Sequence, residues 1–159
     1  MKLSHLQNHY DLQEIQNGYR FLTDGNTEYY LTFIEYPVVE EYLATKIFMF
    51  NIERATPKVG QNDIKLLNTI IYVLEEFFNR HEDALITISD ISDNKQAARK
   101  KLFDIWFNRY NKGRLEKLDG SYQIGDIPVY VSLLFSVNNF NHRNLIKAFK
   151  SLIDNNFYC

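Results

Sequence analysis

At 159 residues, 45% hydrophobic and 15% aromatic, the chain suits one domain with a ring-rich core and is too apolar for a disordered tail. No apolar run approaches the roughly 20 residues of a membrane span, and the opening MKLSHLQNHYDLQEIQNG has neither the apolar centre nor the cleavage site of a signal peptide. A soluble cytoplasmic protein is expected, and the one cysteine, Cys159, excludes an internal disulfide and a four-cysteine zinc site.

The net charge of −2 hides an uneven split. Residues 1–94 carry 7 basic and 15 acidic groups, whereas residues 95–117 carry 8 basic and 2 acidic. Such a split can steer an anionic partner to one face. It can equally be internal, with a basic helix lying near acidic strands.

Residues 1–17 read as an amphipathic extension with Leu3, Leu6, Tyr10, Leu12 and Ile15. The stretches YRFLT and TEYYLTFIEYP are strand-like, with DGN as the turn between them. In the second, Leu31 and Phe33 face one side and Tyr30, Thr32 and Ile34 the other. KIFMFNIER forms a third strand. A helix follows, capped by Asn62 or Asp63 and carrying Ile64, Leu67, Ile71, Leu74 and Phe78 on one face. ALITIS is a short apolar strand of the kind found at a sheet centre. A second helix runs from about Asn94 to Asn111, before Gly113. RLEKLDGSYQIGDI holds a turn with room for a short strand, PVYVSLLFSV is a strong strand, and a last helix presents Leu145, Phe149, Leu152 and Ile153 inward. The expected fold is a single α+β domain over residues 1–159, a βββαβαβα sandwich with a mixed sheet of about five strands. The ribonuclease H-like fold shares this element order.

In that topology several carboxylates would converge on Mg or Mn ions that activate water. Asp24, Glu75 or Glu76, Asp90 and Asp154 fall near the required points. Asp24, however, lies in TDGN, where a turn alone explains an aspartate. Asp93 with Gln96 three residues on has the spacing of a capping box. Asp90 ends a central strand, where open α/β sheets often bind ligands. In the second helix Phe103, Trp106, Phe107 and Tyr110 form one aromatic stripe, a core pattern. Arg99, Lys100, Lys101, Arg109, Lys112 and Arg114 could hold phosphates, and cations beside rings suit single-stranded nucleic acid. His5 and His9 have helical metal-ligand spacing without a third ligand nearby. No G-x-S-x-G, Walker, G-x-G-x-x-G or H-E-x-x-H pattern occurs.

The blocks YRFLTDGNTEYYLTF, NDIKLLNTIIYVLEEFF, ISDISDNKQAARKKLFDIWF and VYVSLLF, taken in order, resemble a family of small uncharacterised Bacteroidota proteins. The matching positions include Asp63, Thr69, Ile70, Asp90, Asp93, Gln96, Arg99, Leu102, Phe103, Trp106 and Phe107. The resemblance covers residues 18 to about 137. Ser89 stands where a cysteine is common, and Asn94-Lys95 and Lys100-Lys101 where arginines are more usual. The resemblance implies an architecture and a candidate surface, and no chemistry.

Two functions from different classes follow. One is a non-enzymatic interaction module, accessory, antitoxin-like or defence-associated, without a cofactor. It would hold a protein or nucleic-acid partner through Asp90, Asp93, Gln96, Arg99, Lys100 and Arg109, and a homodimer is compatible with it. The other is a divalent-metal nuclease using Asp24, Glu75, Asp90 and Asp154. A third, a small-anion sensor, would place phosphate at the second helix N-terminus near Arg99, against the repulsion of Asp90 and Asp93.

Overall fold

The computed structural model describes residues 8–37, 45–56, 64–80, 82–89 and 96–157, with the side chains of 96, 98, 99, 102, 110, 156 and 157 left aside. Seven strands and three helices follow in the order β1 (Gln13–Ile15), β2 (Gly18–Leu22), β3 (Glu28–Tyr36), β4 (Ile47–Arg54), α1 (Ile64–Arg80), β5 (Ala84–Ile88), α2 (Gln96–Tyr110), β6 (Leu115–Ile124), β7 (Ile127–Ser136) and α3 (His142–Phe157). The strands form one mixed sheet ordered β1-β2-β3-β4-β5-β7-β6. The α+β class expected from the sequence is the class found.

Two features differ from expectation. The sheet has seven strands rather than about five, because β1 arises in the N-terminal extension and the segment read as a turn with room for a short strand forms the ten-residue β6. The strand order is also not that of a ribonuclease H-like sheet, where the strand after the first helix returns beside the first strand of the meander. Here β5 lies parallel to β4, the last strand of the meander, with Ile47, Phe48 and Met49 opposite Ala84, Leu85 and Ile86.

The chain forms two compact units, Met1–Ile34 with Phe50–His81, and Glu35–Met49 with Glu82–Cys159. In the first, strand alternation sends Phe21, Tyr29 and Leu31 to one face, all buried. There Tyr10, Phe21 and Tyr29 stack in a row with centroids 5.8 and 5.4 Å apart. Phe33 stacks on Phe77 of α1 at 5.0 Å and meets Phe50 at 5.1 Å. Ile71, Val73, Leu74 and Phe77 of α1 are buried, while Ile64, expected on the inner face, is 58% exposed at the first helical residue. Thr69 Oγ1 accepts from the Tyr10 amide at 2.9 Å and donates to the Lys65 carbonyl at 2.7 Å.

The other strand face of this unit is polar at its centre. Gln13, Arg20 and Tyr30 are directly opposite one another across β1, β2 and β3. Arg20 Nε donates to Glu28 Oε1 at 2.7 Å and Tyr30 donates to the same oxygen at 2.5 Å. Gly18 is obligatory between these strands: a Cβ there would stand 1.9 Å from the Leu31 carbonyl oxygen.

In the second unit β7 is the central strand, with β5 and β6 antiparallel on either side. One face buries Ile47, Ala84, Ile86, Val131, Leu133 and Phe135 against Leu145 and Phe149 of α3. Leu152 and Ile153 pack at its margin, as the periodicity of α3 predicts. Gly120 allows the close approach of α3, since a Cβ would meet Ile153 Cδ1 at 2.8 Å. A polar set joins the entry to α3 to the starts of β4 and β5: Asn141 donates to Thr45 Oγ1 at 2.7 Å and Asn139 to the Glu82 carbonyl at 2.8 Å. Among the described residues no helix is long and apolar enough to cross a membrane.

Candidate partner-binding surface on the second helix

Helix α2 lies in the second unit on the sheet face opposite α3. Alternation along β6 determines this: Leu118 packs with the α3 cluster, so its neighbours Lys117 and Asp119 point to the α2 side. Trp106 is the anchor, 7% exposed, with Phe103 at 5.1 Å and Phe107 at 6.4 Å between centroids. Phe103, Trp106 and Phe107 of the aromatic stripe are therefore turned toward the protein. The helix ends where Lys112 and Gly113 take positive φ of 52° and 76°, the left-handed termination that stops an α-helix. Beyond it the Asn111 side chain clips the first residue of β6, accepting from the Leu115 amide at 2.7 Å and donating to its carbonyl at 2.9 Å.

Beneath the helix runs an ionic chain of alternating sign. Lys100 Nζ is 2.5 Å from Asp104 Oδ2, and Lys117 Nζ is 2.6 Å from Asp104 Oδ1 and 2.6 Å from Asp119 Oδ2. Ser132 on β7 donates to Asp119 Oδ1 at 2.7 Å. The Asp104–Lys117 contact is an ion pair rather than an aligned hydrogen bond. Burial works to raise the Asp104 carboxyl, but the Lys100 and Lys117 ammonium groups outweigh it and hold the carboxyl below its usual value. The hydrogen bond to Asp104 raises Lys100 in turn. Two of the basic residues counted in the 95–117 cluster are thus neutralised inside the molecule.

The outer side of α2 is different. Lys101, Ile105, Asn108, Arg109 and Lys112 are exposed at spacings that place them along one stripe of the helix and its termination. Lys101, Arg109 and Lys112 make no ion pair with any described residue. Ile105, 51% exposed, lies among them. The helix consequently has little separation into apolar and polar sides, in contrast to α1 and α3.

The residues singled out from the sequence divide as follows. Lys100 belongs to the inner ionic chain and Arg109 to the outer stripe. Asp90 and Asp93 lie outside the described residues, as do the side chains of Gln96 and Arg99, so the capping box does too. His5 and His81 also lie outside them, while the His9 ring stacks on Tyr72 at 4.2 Å. Asp24 sits in a tight turn held by the Asn26 amide to the Thr23 carbonyl at 2.9 Å, its side chain 81% exposed and 3.8 Å from Lys65 Nζ. Glu75 is half-buried on α1, in the first unit, and Asp154 is exposed on α3, in the second. Among the described residues no group of three or more histidine, cysteine or acidic side chains could hold a metal ion. Ile105, Asp104, Asp119 and Ser132 were not singled out. The Lys100–Asp104 spacing of four was a readable signal for the inner pair, whereas the partners on β6 and β7 depend on tertiary pairing.

The family of unknown function DUF6169 matches residues 62–151, more than half of the chain. The chain belongs to this family. The matched span contains the whole of α2, β6 and β7 and so both faces of the second helix. No curated protein and no solved structure matches the chain.

Proposed function

We propose that this member of DUF6169 is a non-enzymatic interaction module that holds an anionic partner, protein or nucleic acid, on the outer face of α2. The observation that carries this reading is the sorting of charge on one helix. Lys100 and Lys117 are paired inward with Asp104 and Asp119, while Lys101, Arg109 and Lys112 stand exposed around Ile105 with no ion pair among the described residues. An exposed aliphatic side chain within a cationic stripe provides both an apolar contact and long-range attraction. Asp90 and Asp93, and the side chains of Gln96 and Arg99, precede or open the same helix in sequence and lie outside the described residues. A protein partner is favoured over single-stranded nucleic acid because Trp106, the largest ring of the helix that could stack on bases, is turned inward. An accessory role, antitoxin-like or defence-associated, is a setting for such a module.

The test is partner capture from the native host lysate by the wild type and by Lys101→Glu/Arg109→Glu/Lys112→Glu, with Lys147→Glu/Lys150→Glu on α3 as control. Loss of the captured species in the triple variant and retention in the control is the expected result. Equal capture by all three proteins would remove the outer face of α2 from the account.

A further inference from the structure

Strand β6 ends the strand order of the sheet, and its outward backbone groups form a self-matching set. β6 pairs with β7 over all ten residues without interruption, from Leu115 opposite Ser136 to Ile124 opposite Ile127. Tyr130 turns both backbone groups toward β5, its amide donating to Ser89 Oγ at 3.0 Å and its carbonyl accepting from the Ser89 amide at 2.9 Å. Its opposite residue on β6, Ser121, therefore turns its own amide and carbonyl outward. By alternation Leu115, Lys117, Asp119 and Gln123 do the same. At Leu115 the outward groups are taken by the Asn111 side chain. Those of Lys117, Asp119, Ser121 and Gln123 have no partner among the described residues.

These four residues are symmetric about Gly120. We infer that two copies of the chain join through β6, antiparallel about a two-fold axis at Gly120, so that Asp119 faces Ser121 and Lys117 faces Gln123 of the second copy. That register satisfies every free edge group, with about eight hydrogen bonds between the copies. It also opposes a carboxylate to a hydroxyl and an ammonium to an amide. On the α3 side it sets Leu118 opposite Tyr122. Neighbouring registers are worse. An axis at Asp119 sets that carboxylate against its own copy, and one at Leu118 requires Asn111 to release Leu115. Charged side chains ordinarily guard an edge strand. Here Lys117 is drawn beneath α2 by Asp104 and Asp119, its side chain 8% exposed, and neither proline nor bulge interrupts β6.

The experiment is sedimentation equilibrium of the full chain, with Ser121→Pro as the disrupting variant. Proline there removes an outward amide and leaves the ladder to β7 whole. The wild type is expected at twice 18.9 kDa and the variant at 18.9 kDa with the same circular dichroism. A nitroxide on Gln123→Cys, in a Cys159→Ser background, supplies an independent reading. Six residues of strand separate the two labels across the axis, so a spin–spin distance of about 20 Å is expected. An axis two residues nearer to Leu115 would give about 33 Å. A monomeric wild type, or a dimer whose label distance departs from about 20 Å, would overturn the inference. If Ser121→Pro does not fold, the label distance decides alone.

Discussion

The Lys117 ammonium stands 2.6 Å from Asp104 on α2 and 2.6 Å from Asp119 on its own strand, with its side chain 8% exposed. One buried cation thus fastens the second helix to the edge of the sheet. The arrangement determines which lysines of the basic cluster are left to attract an anion from outside, because charges that neutralise each other inside cannot do so.

Asp104→Ala leaves Lys117 largely buried with only Asp119 as counter-charge. Asp119 still compensates Lys117, so the cost is that of a lost charged partner rather than of an unpaired buried charge. A loss of about 2 kcal/mol in urea unfolding is expected. Lys101→Ala, on the outer face, should stay within about 0.5 kcal/mol of the wild type.

The same carboxylate makes stability depend on acid. Its folded value is held below the unfolded value of about 3.9, so its contribution is present above that pH and is lost as pH falls through the folded value. The wild type should therefore lose stability below about pH 4 more steeply than Asp104→Asn, by denaturant midpoints measured across that range.

On the first unit the hydrogen bond to Glu28 raises the Tyr30 phenol above its usual value. The sign is opposite to that of Asp104. The interaction is fully present below the unfolded tyrosine value of about 10 and is lost as pH rises through the folded value. Ultraviolet difference titration of the 11 tyrosines should show a late step that Tyr30→Phe removes.

Gly18→Ala tests the packing of β1 and β2. The added Cβ would lie 1.9 Å from the Leu31 carbonyl oxygen, so backbone must move. A loss on the order of 3 kcal/mol is expected, read as a lowered melting temperature.

Where local chemistry decides, the sequence was a good guide. The alternation of Leu31 and Phe33 with Tyr30, Thr32 and Ile34 matches the burial pattern, with Leu31 buried and Ile34 48% exposed. Asp24 sits in the turn that TDGN implies, and Trp106 lies in the core that the aromatic stripe implies. Strand β6 was read as no more than a short strand beside a turn, because an edge strand carries Lys117, Asp119, Gly120 and Ser121 and lacks the apolar alternation of a buried one. The inner and outer faces of α2 were not separable either. Lys100 and Lys101 are adjacent and alike, and only the sheet beneath decides that one faces Asp104 and the other faces outward.

The central claim is that the outer face of α2 is where a partner sits. The most direct measurement places a photo-crosslinking amino acid at Ile105 and, separately, at Ile34 on the exposed strand face, and irradiates native host cells. The account predicts a discrete covalent adduct from position 105 that is lost on adding Lys101→Glu/Arg109→Glu/Lys112→Glu, with none from position 34. No adduct at 105, or the same adducts from both positions, would contradict it.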